Sequence, residues 1–305
     1  MKRVLMIIGT LLISSAAMAD GLKTSSEASA ADDGVPRRRT TGLSVFANAG
    51  AFWADDVNAN FYSGRPENAN TINRVLYSET YGNKIWADLK TAGLISSAIG
   101  SKNELQVVEY PEMYYRTSLQ YGLGFRYDYE SGFGWLLRFD IARAQAIGAF
   151  NLSSTNGTGI LTNNGRYIRC GILGNEDRIN IDFALLRTAY LGNNLCLEVD
   201  LGVSLNNTKV RENLMEIAGA NYSILDIWGG QSPSSYTGTY EYVNQGGLGW
   251  GVFMSGFIGY EMEGVGAIKA GYTCHHSKIT LEGYTAMGWV HCLTVRFEIN
   301  NFSFL

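Results

Sequence analysis

The chain has 305 residues, with 36 glycines, 18 tyrosines, 13 phenylalanines and 6 tryptophans but only 4 prolines and 17% charged residues. No stretch of about 18 consecutive apolar residues occurs, which excludes a helical membrane protein. Without Lys2 and Arg3, 22 Lys and Arg face 28 Asp and Glu, a net charge of −6 that argues against a nucleic-acid partner.

Residues 1–19 read as an export signal. Lys2 and Arg3 precede an apolar core from Val4 to Ile13, and Ala17-Met18-Ala19 fits a small-x-small cleavage site. The mature chain is expected to start at Asp20. Residues 20–41 are polar, with Asp32 and Asp33 followed by Arg37-Arg38-Arg39, and read as a periplasmic lead-in.

Eight segments between 42 and 305 then read as strands: 42–53, 113–129, 133–150, 178–190, 195–208, 247–262, 266–277 and 287–304. The links run 54–112, 130–132, 151–177, 191–194, 209–246, 263–265 and 278–286. Long and short links alternate, the rhythm of a membrane barrel with tight turns on the periplasmic side and larger loops outside. The expected fold is therefore all-β, an eight-stranded antiparallel transmembrane β-barrel. An even strand number puts both termini in the periplasm and makes 54–112, 151–177, 209–246 and 278–286 extracellular loops.

The first long loop is too long for a structureless connection. Ile72, Val75 and Leu76, then Ile85, Trp86 and Leu89, recur at helical spacing, with Asn70 or Thr71 as candidate caps and Gly82 separating two short helices. The third long loop carries a helical pattern over Arg211–Ala218, before the aromatic, glycine-rich stretch from Tyr222 to Tyr242.

The strand faces separate cleanly, because alternate side chains point to opposite sides. In 115–129 one face is Tyr115, Thr117, Leu119, Tyr121, Leu123, Phe125, Tyr127 and Tyr129, and the other includes Arg116, Arg126 and Asp128. In 195–205 leucines and valines oppose Cys196, Glu198, Asp200, Gly202 and Ser204. The polar faces hold a small set of both signs: Arg116, Arg126, Asp128, Arg138, Asp140, Asp182, Glu198, Asp200, Lys269, Arg296 and Glu298. An eight-stranded barrel is just wide enough for side chains to fill it. These residues are expected to form an interior salt-bridge network that leaves no diffusion pore. Aromatics gather near strand ends, Tyr127, Tyr129, Phe133 and Trp135 at one rim and Trp250 and Trp289 at the other, as interfacial girdles do.

This strand pattern, with the C-terminal run Val295-Arg296-Phe297-Glu298-Ile299-Asn300-Asn301-Phe302-Ser303-Phe304-Leu305, resembles the small outer-membrane barrels of the OmpA/OmpX/OmpW-like group over about 42–304. Such proteins usually end in an aromatic residue read by the barrel-assembly machinery, whereas Leu305 follows Phe304 here. The resemblance implies the outer membrane of a Gram-negative bacterium and leaves function open.

Four cysteines in an exported chain raise the question of disulfides. Cys196 follows a short turn, Cys274 and Cys292 lie toward the opposite end, and Cys170 falls in the second long loop within reach of either. All three histidines lie in the last hairpin. With its turn centred near 282–283, Cys274, His276, Trp289 and His291 share the outward face, and His275, Ser277 and Cys292 the inward one. The outward set lacks a fourth ligand for a metal. His275-x-Ser277 is similar to the His-x-Ser of outer-membrane lipid A deacylases, although Lys278 replaces the family's Asn and no Glu sits a dozen residues downstream.

The leading expectation is a non-enzymatic outer-membrane barrel whose extracellular loops make contacts, as a surface protein or an accessory subunit of an outer-membrane complex. The expected partners are outer-membrane lipid and a protein held by those loops, with no cofactor, metal or catalytic residue. Two alternatives stay open. One is a lipid A-modifying hydrolase using Ser277 and His275. The other is a lateral conduit for small hydrophobic molecules, through a wall weakened by the glycines at 249, 251, 256 and 259.

Overall fold

The computed structural model describes residues 42–162, 165–192, 194–225, 245–262 and 265–299. The signal segment, the lead-in, most of the glycine-rich stretch before Tyr242 and the C-terminal Phe302, Phe304 and Leu305 lie outside the described residues.

Eight strands form the wall: β1 Gly42–Ala54, β2 Ser118–Asp128, β3 Phe133–Ser154, β4 Ile168–Gly192, β5 Leu195–Ile217, β6 Gly247–Met262, β7 Gly266–Leu281 and β8 Tyr284–Ile299. Each pairs antiparallel with its sequence neighbours, and β8 pairs with β1, so the sheet closes on itself. The register fixes the girth. Starting at Ser44, the rungs run through Arg126, Leu136, Ala184, Gly202, Phe253, His275 and Val290 and return to β1 at Ala54, ten residues on. Ten rises of about 3.3 Å against eight strand spacings of about 4.8 Å tilt the strands by about 40°.

The short links are where the sequence places them. One turn, at 129–132, closes with the Tyr129 amide donating to Phe133 O (2.8 Å), and Gly132 takes φ +77°. The other ends of several strands depart from expectation, because the wall climbs well beyond the predicted limits. β3 runs to Ser154 and β4 starts at Ile168, so the expected loop 151–177 shrinks to 155–167. β7 and β8 meet in a two-residue turn at Glu282 and Gly283 (φ +66°), so 278–286 is hairpin and not loop.

The helix expected over Arg211–Ala218 is strand: β5 continues to Ile217 and folds back through Ala218 (φ +52°) and Gly219 (φ +78°) onto the short strand Ala220–Ser223. A bulge caused the misreading. Glu176 pairs with Val210 and Asn175 with Glu212, so Arg211 is an extra residue. Buried positions below it are even (Ser204, Asn206, Thr208, Val210) and above it odd (Asn213, Met215, Ile217). A one-residue slip exchanges the faces and destroys the period of two.

The first long loop forms a cap seated in this taller half of the barrel. Helix α1 (Ile72–Leu76) has Thr71 as N-cap, its Oγ accepting from the Arg74 amide at 3.3 Å. Helix α2 (Glu79–Thr91) starts at Ser78, whose hydroxyl accepts from the Tyr81 and Gly82 amides. Gly82 is thus inside α2 and does not separate the helices. A Cβ there would stand 2.1 Å from Leu76 O and 2.8 Å from Lys102 Cδ. The almost fully buried Lys102 ammonium collects Tyr77 O and Ser78 O at the end of α1 (3.1 and 2.8 Å) and pairs with Glu79 at 3.0 Å. A short strand, Leu105–Glu109, then pairs with upper β3.

Ile72, Leu76, Ile85 and Leu89 from the cap pack against Phe150, Leu152, Ile168, Ile172, Met215 and Ile217 of the wall in one apolar core. Tyr62 lies flat on Gly174, where a Cβ would meet its ring at 2.1 Å. Replacing Gly174 with leucine is therefore expected to expel Tyr62 and loosen the cap while the lower barrel stays intact. Limited proteolysis should then cut within 54–112, with heat-modifiable gel migration retained. A cap as resistant as the wild type's would count against this packing.

Candidate functional site: a filled barrel beneath a folded cap

The lower interior is charged. Glu198 on β5 touches three cations from three other strands: Arg126 on β2, Lys269 on β7 and Arg296 on β8, the last at 2.6 Å. Glu298 stands 2.9 Å from Arg126 and 3.0 Å from Lys269. Arg126 also binds Asp128 and donates to Thr188 Oγ at 3.1 Å. Arg296 reaches Asp200 at 3.5 Å, and its guanidinium lies over the Phe257 and Phe46 rings at 4.0 and 4.5 Å. One level higher, Arg138 bonds Asp182 at 2.5 Å and Asp140 at 2.9 Å, and the Asn48 amide donates to Asp140. Higher again, Glu176 accepts from Arg178 Nε (2.6 Å), Tyr62 OH (2.6 Å) and Tyr115 OH (3.1 Å), which ties the cap to the wall.

The structure thus brings together Arg126, Asp128, Arg138, Asp140, Asp182, Glu198, Asp200, Lys269, Arg296 and Glu298, all buried. Arg116 is the exception. It is exposed on the outer surface and donates to Gln145 Oε1 at 3.2 Å. The wall is irregular at 116–117, between the short strand Tyr114–Tyr115 and β2, and the alternation slips there: Tyr115 and Gln120 both point inward. Sequence reasoning missed Glu176, Arg178, Tyr62 and Tyr115. Extending the parity of β4 upward from Asp182 would have placed Arg178 and Glu176 inside and Asp177 outside.

The last hairpin has the register expected, with Cys274 opposite His291 and His276 opposite Trp289. Outside, His276 packs on Trp289 with ring centroids 4.5 Å apart, and His291 lies between Trp53 and Tyr272. Each imidazole has an aromatic partner in the upper girdle. Inside, His275 stacks on Phe253 and stands 3.9 Å from Asp182, and it makes no hydrogen bond to Ser277. Both are buried within the barrel, so they do not form a nucleophile-and-base pair facing lipid. All four cysteines are free, and Cys170 is in the wall of β4, not in a loop. β6 is paired with β5 over Gly247–Tyr260 and with β7 over Gly251–Met262, leaving no continuous lateral slit along the glycines.

The outer surface changes character at one level. Below it β5 presents Leu195, Leu201, Val203 and Leu205 outward, a band about 25 Å tall at the strand tilt above. Tyr127, Tyr129 and Trp135 cluster at its lower rim. Directly above it the outward residues turn polar, with Arg143, Asp177 and Lys209 on one rung and Gln145 and Asn175 on the next, before Ile147, Leu173 and Leu214 form an apolar rung higher up.

No protein-family model matches the chain, and no curated protein does. Among solved structures it is similar to Neisserial surface protein A, at 9% identity and a TM-score of 0.38, covering 86% of this chain and all of that one. It is also similar to Ail, the attachment invasion locus protein of Yersinia pestis, at 8% identity and 0.32, covering 85% of this chain and all of that one. Likenesses this distant decide nothing here. The barrel is established by its own hydrogen bonds, and its architecture is that of a small eight-stranded barrel.

Two outcomes test the site. Glu198→Ala removes the carboxylate that three buried cations share, leaving them only Asp128, Asp200 and Glu298, and is expected to cost about 3–5 kcal/mol of barrel stability, read as a lower urea midpoint in detergent. An unchanged midpoint would show that the cations rearrange freely. On the short strand Ala220–Ser223, Tyr222 OH donates to Asp88 on α2 of the cap. Burial, and then the Asp88 carboxylate, push the Tyr222 phenol above its ordinary range. The docked phenol holds its proton where the free one loses it, so the cap should loosen as pH rises past about 10. Amide exchange in α2 should speed up there in the wild type and lose that pH dependence in Tyr222→Phe.

Proposed function

We propose that this protein is a non-enzymatic outer-membrane barrel that holds a folded extracellular cap, and that it acts by contact through that cap. The observation that carries the reading is the filling of the barrel at every level. Ion pairs occupy the lower half and an apolar core the upper half, inside a wall whose exterior is an apolar band with aromatic rims. Such a body suits a lipid bilayer outside and leaves no water-filled path inside. The rigid cap then carries the surface available for recognition, since binding residues concentrate on connections set on a firm scaffold. Its partner is a protein or another surface molecule, in the setting of a surface protein or an accessory subunit.

Expression in a Gram-negative host tests the reading. The protein is expected in the outer-membrane fraction, with heat-modifiable migration and no conductance in planar bilayers. Replacing 58–104 with a flexible linker is expected to leave insertion intact and abolish co-purification of the partner. Recovery in a soluble fraction, or steady ion conductance by the wild type, would sink the proposal.

A further inference from the structure

One facet of the outer surface is built in a way that neither the cap nor the barrel interior requires. Asp177 on β4 faces outward and holds two guanidiniums. Arg143 Nε on β3 donates to its Oδ1 at 3.0 Å, and Arg211 Nε on β5 donates to its Oδ2 at 2.5 Å. Arg211 is the bulge residue of β5, so the wall spends an extra residue where that side chain turns toward Asp177. The carboxylate is largely covered, at 16% exposure, while the Arg143 side chain is 73% exposed and that of Arg211 49%.

The surroundings add charge of one sign. Lys209 occupies the rung position beside Asp177. Arg116 reaches Gln145 Oε1 on the same face of β3. Four cations therefore share the facet with two carboxylates, Asp177 and Glu212, and Glu212 already accepts from Asn175 at 2.8 Å. The terminal nitrogens of Arg143 carry no hydrogen bond among the described residues and are open to the outside. One rung below, Tyr121, Ile141 and Ile179 are exposed in a row at the top of the apolar band.

We propose that the facet of Arg143, Arg211, Lys209 and Arg116 is a binding site for the phosphate of an outer-leaflet glycolipid, whose acyl chains lie along Tyr121, Ile141 and Ile179. The proposal rests on the membrane placement given under Proposed function. Three features carry it. The cations stand at the boundary where headgroups lie, not on the cap. Asp177 aligns both guanidiniums before any ligand arrives, which lowers the ordering cost of binding. Arginine forks match phosphate oxygens in two-bonded geometry. The apolar row just beneath distinguishes a lipid from a bare anion.

Native mass spectrometry of the full-length protein in detergent tests it, with diphosphorylated lipid A as the probe. The wild type is expected to retain the lipid. Arg143→Gln with Arg211→Gln is expected to weaken retention about tenfold or more, as is removal of the lipid's phosphates. Arg169→Gln, eight residues higher on β4, should change nothing. Equal retention by the wild type and the double variant would overturn the proposal. So would displacement of the lipid by inorganic phosphate alone, which would make the site one for a free anion. Membrane fractionation separates this failure from that of the parent reading. A heat-modifiable outer-membrane protein with no phosphate-dependent retention overturns only the lipid site, whereas a soluble protein overturns both.

Discussion

Glu198 meets Arg126, Lys269 and Arg296 in the middle of the barrel, and each of the four comes from a different strand. The ring of eight strands with a ten-residue shear has a fixed girth, and something must fill it. Hydrocarbon would suit the interior equally well by volume. Charge does something hydrocarbon does not: it fixes which side of each strand faces in. A strand slipped by one residue would present Arg126 or Glu198 to lipid and leave its partners unpaired inside. The network thus serves as a register lock, and the wall above inherits the register it sets.

The strands keep that register while the chemistry of their two faces reverses. On β3, Phe139 and Ile141 face out and Arg138 and Asp140 face in, but higher up Arg143 and Gln145 face out and Ala144, Ala146, Phe150 and Leu152 face in. On β4, Ile179 and Ile181 are outside with Asp182 inside, whereas Ile168, Cys170 and Ile172 are inside with Arg169 and Asn175 outside. The solvent exchanges places at this level. Below, the apolar medium is outside the wall; above, it is the cap inside the wall.

That reversal explains what the sequence revealed and what it concealed. The lower strands were legible because one phase of alternation persists for seven to eleven residues, and the charged interior followed from the same phase. The start of β4 was misplaced where the phase inverts, near 178, since an inverted alternation reads as the end of a strand. Arg116 and the segment 211–218 failed for a related reason: a local slip at 116–117 and a bulge at Arg211 shift parity without leaving a mark in composition. The helices of the cap were visible through Ile72, Leu76, Ile85 and Leu89. Their seat was not, because it depends on contacts with Ile172 and Met215 from strands far along the chain.

The seating of Tyr62 on Gly174 has a temporal side. Residues 54–112 leave the ribosome before β3, β4, β5, β7 and β8, yet their apolar side chains share one core with residues of all five. The cap's core is therefore incomplete until the later wall is in place. β1 is the first strand made and closes the ring against the last, β8. The connection that fills the upper half of the barrel is thus among the earliest parts synthesised and among the last to acquire its final shape.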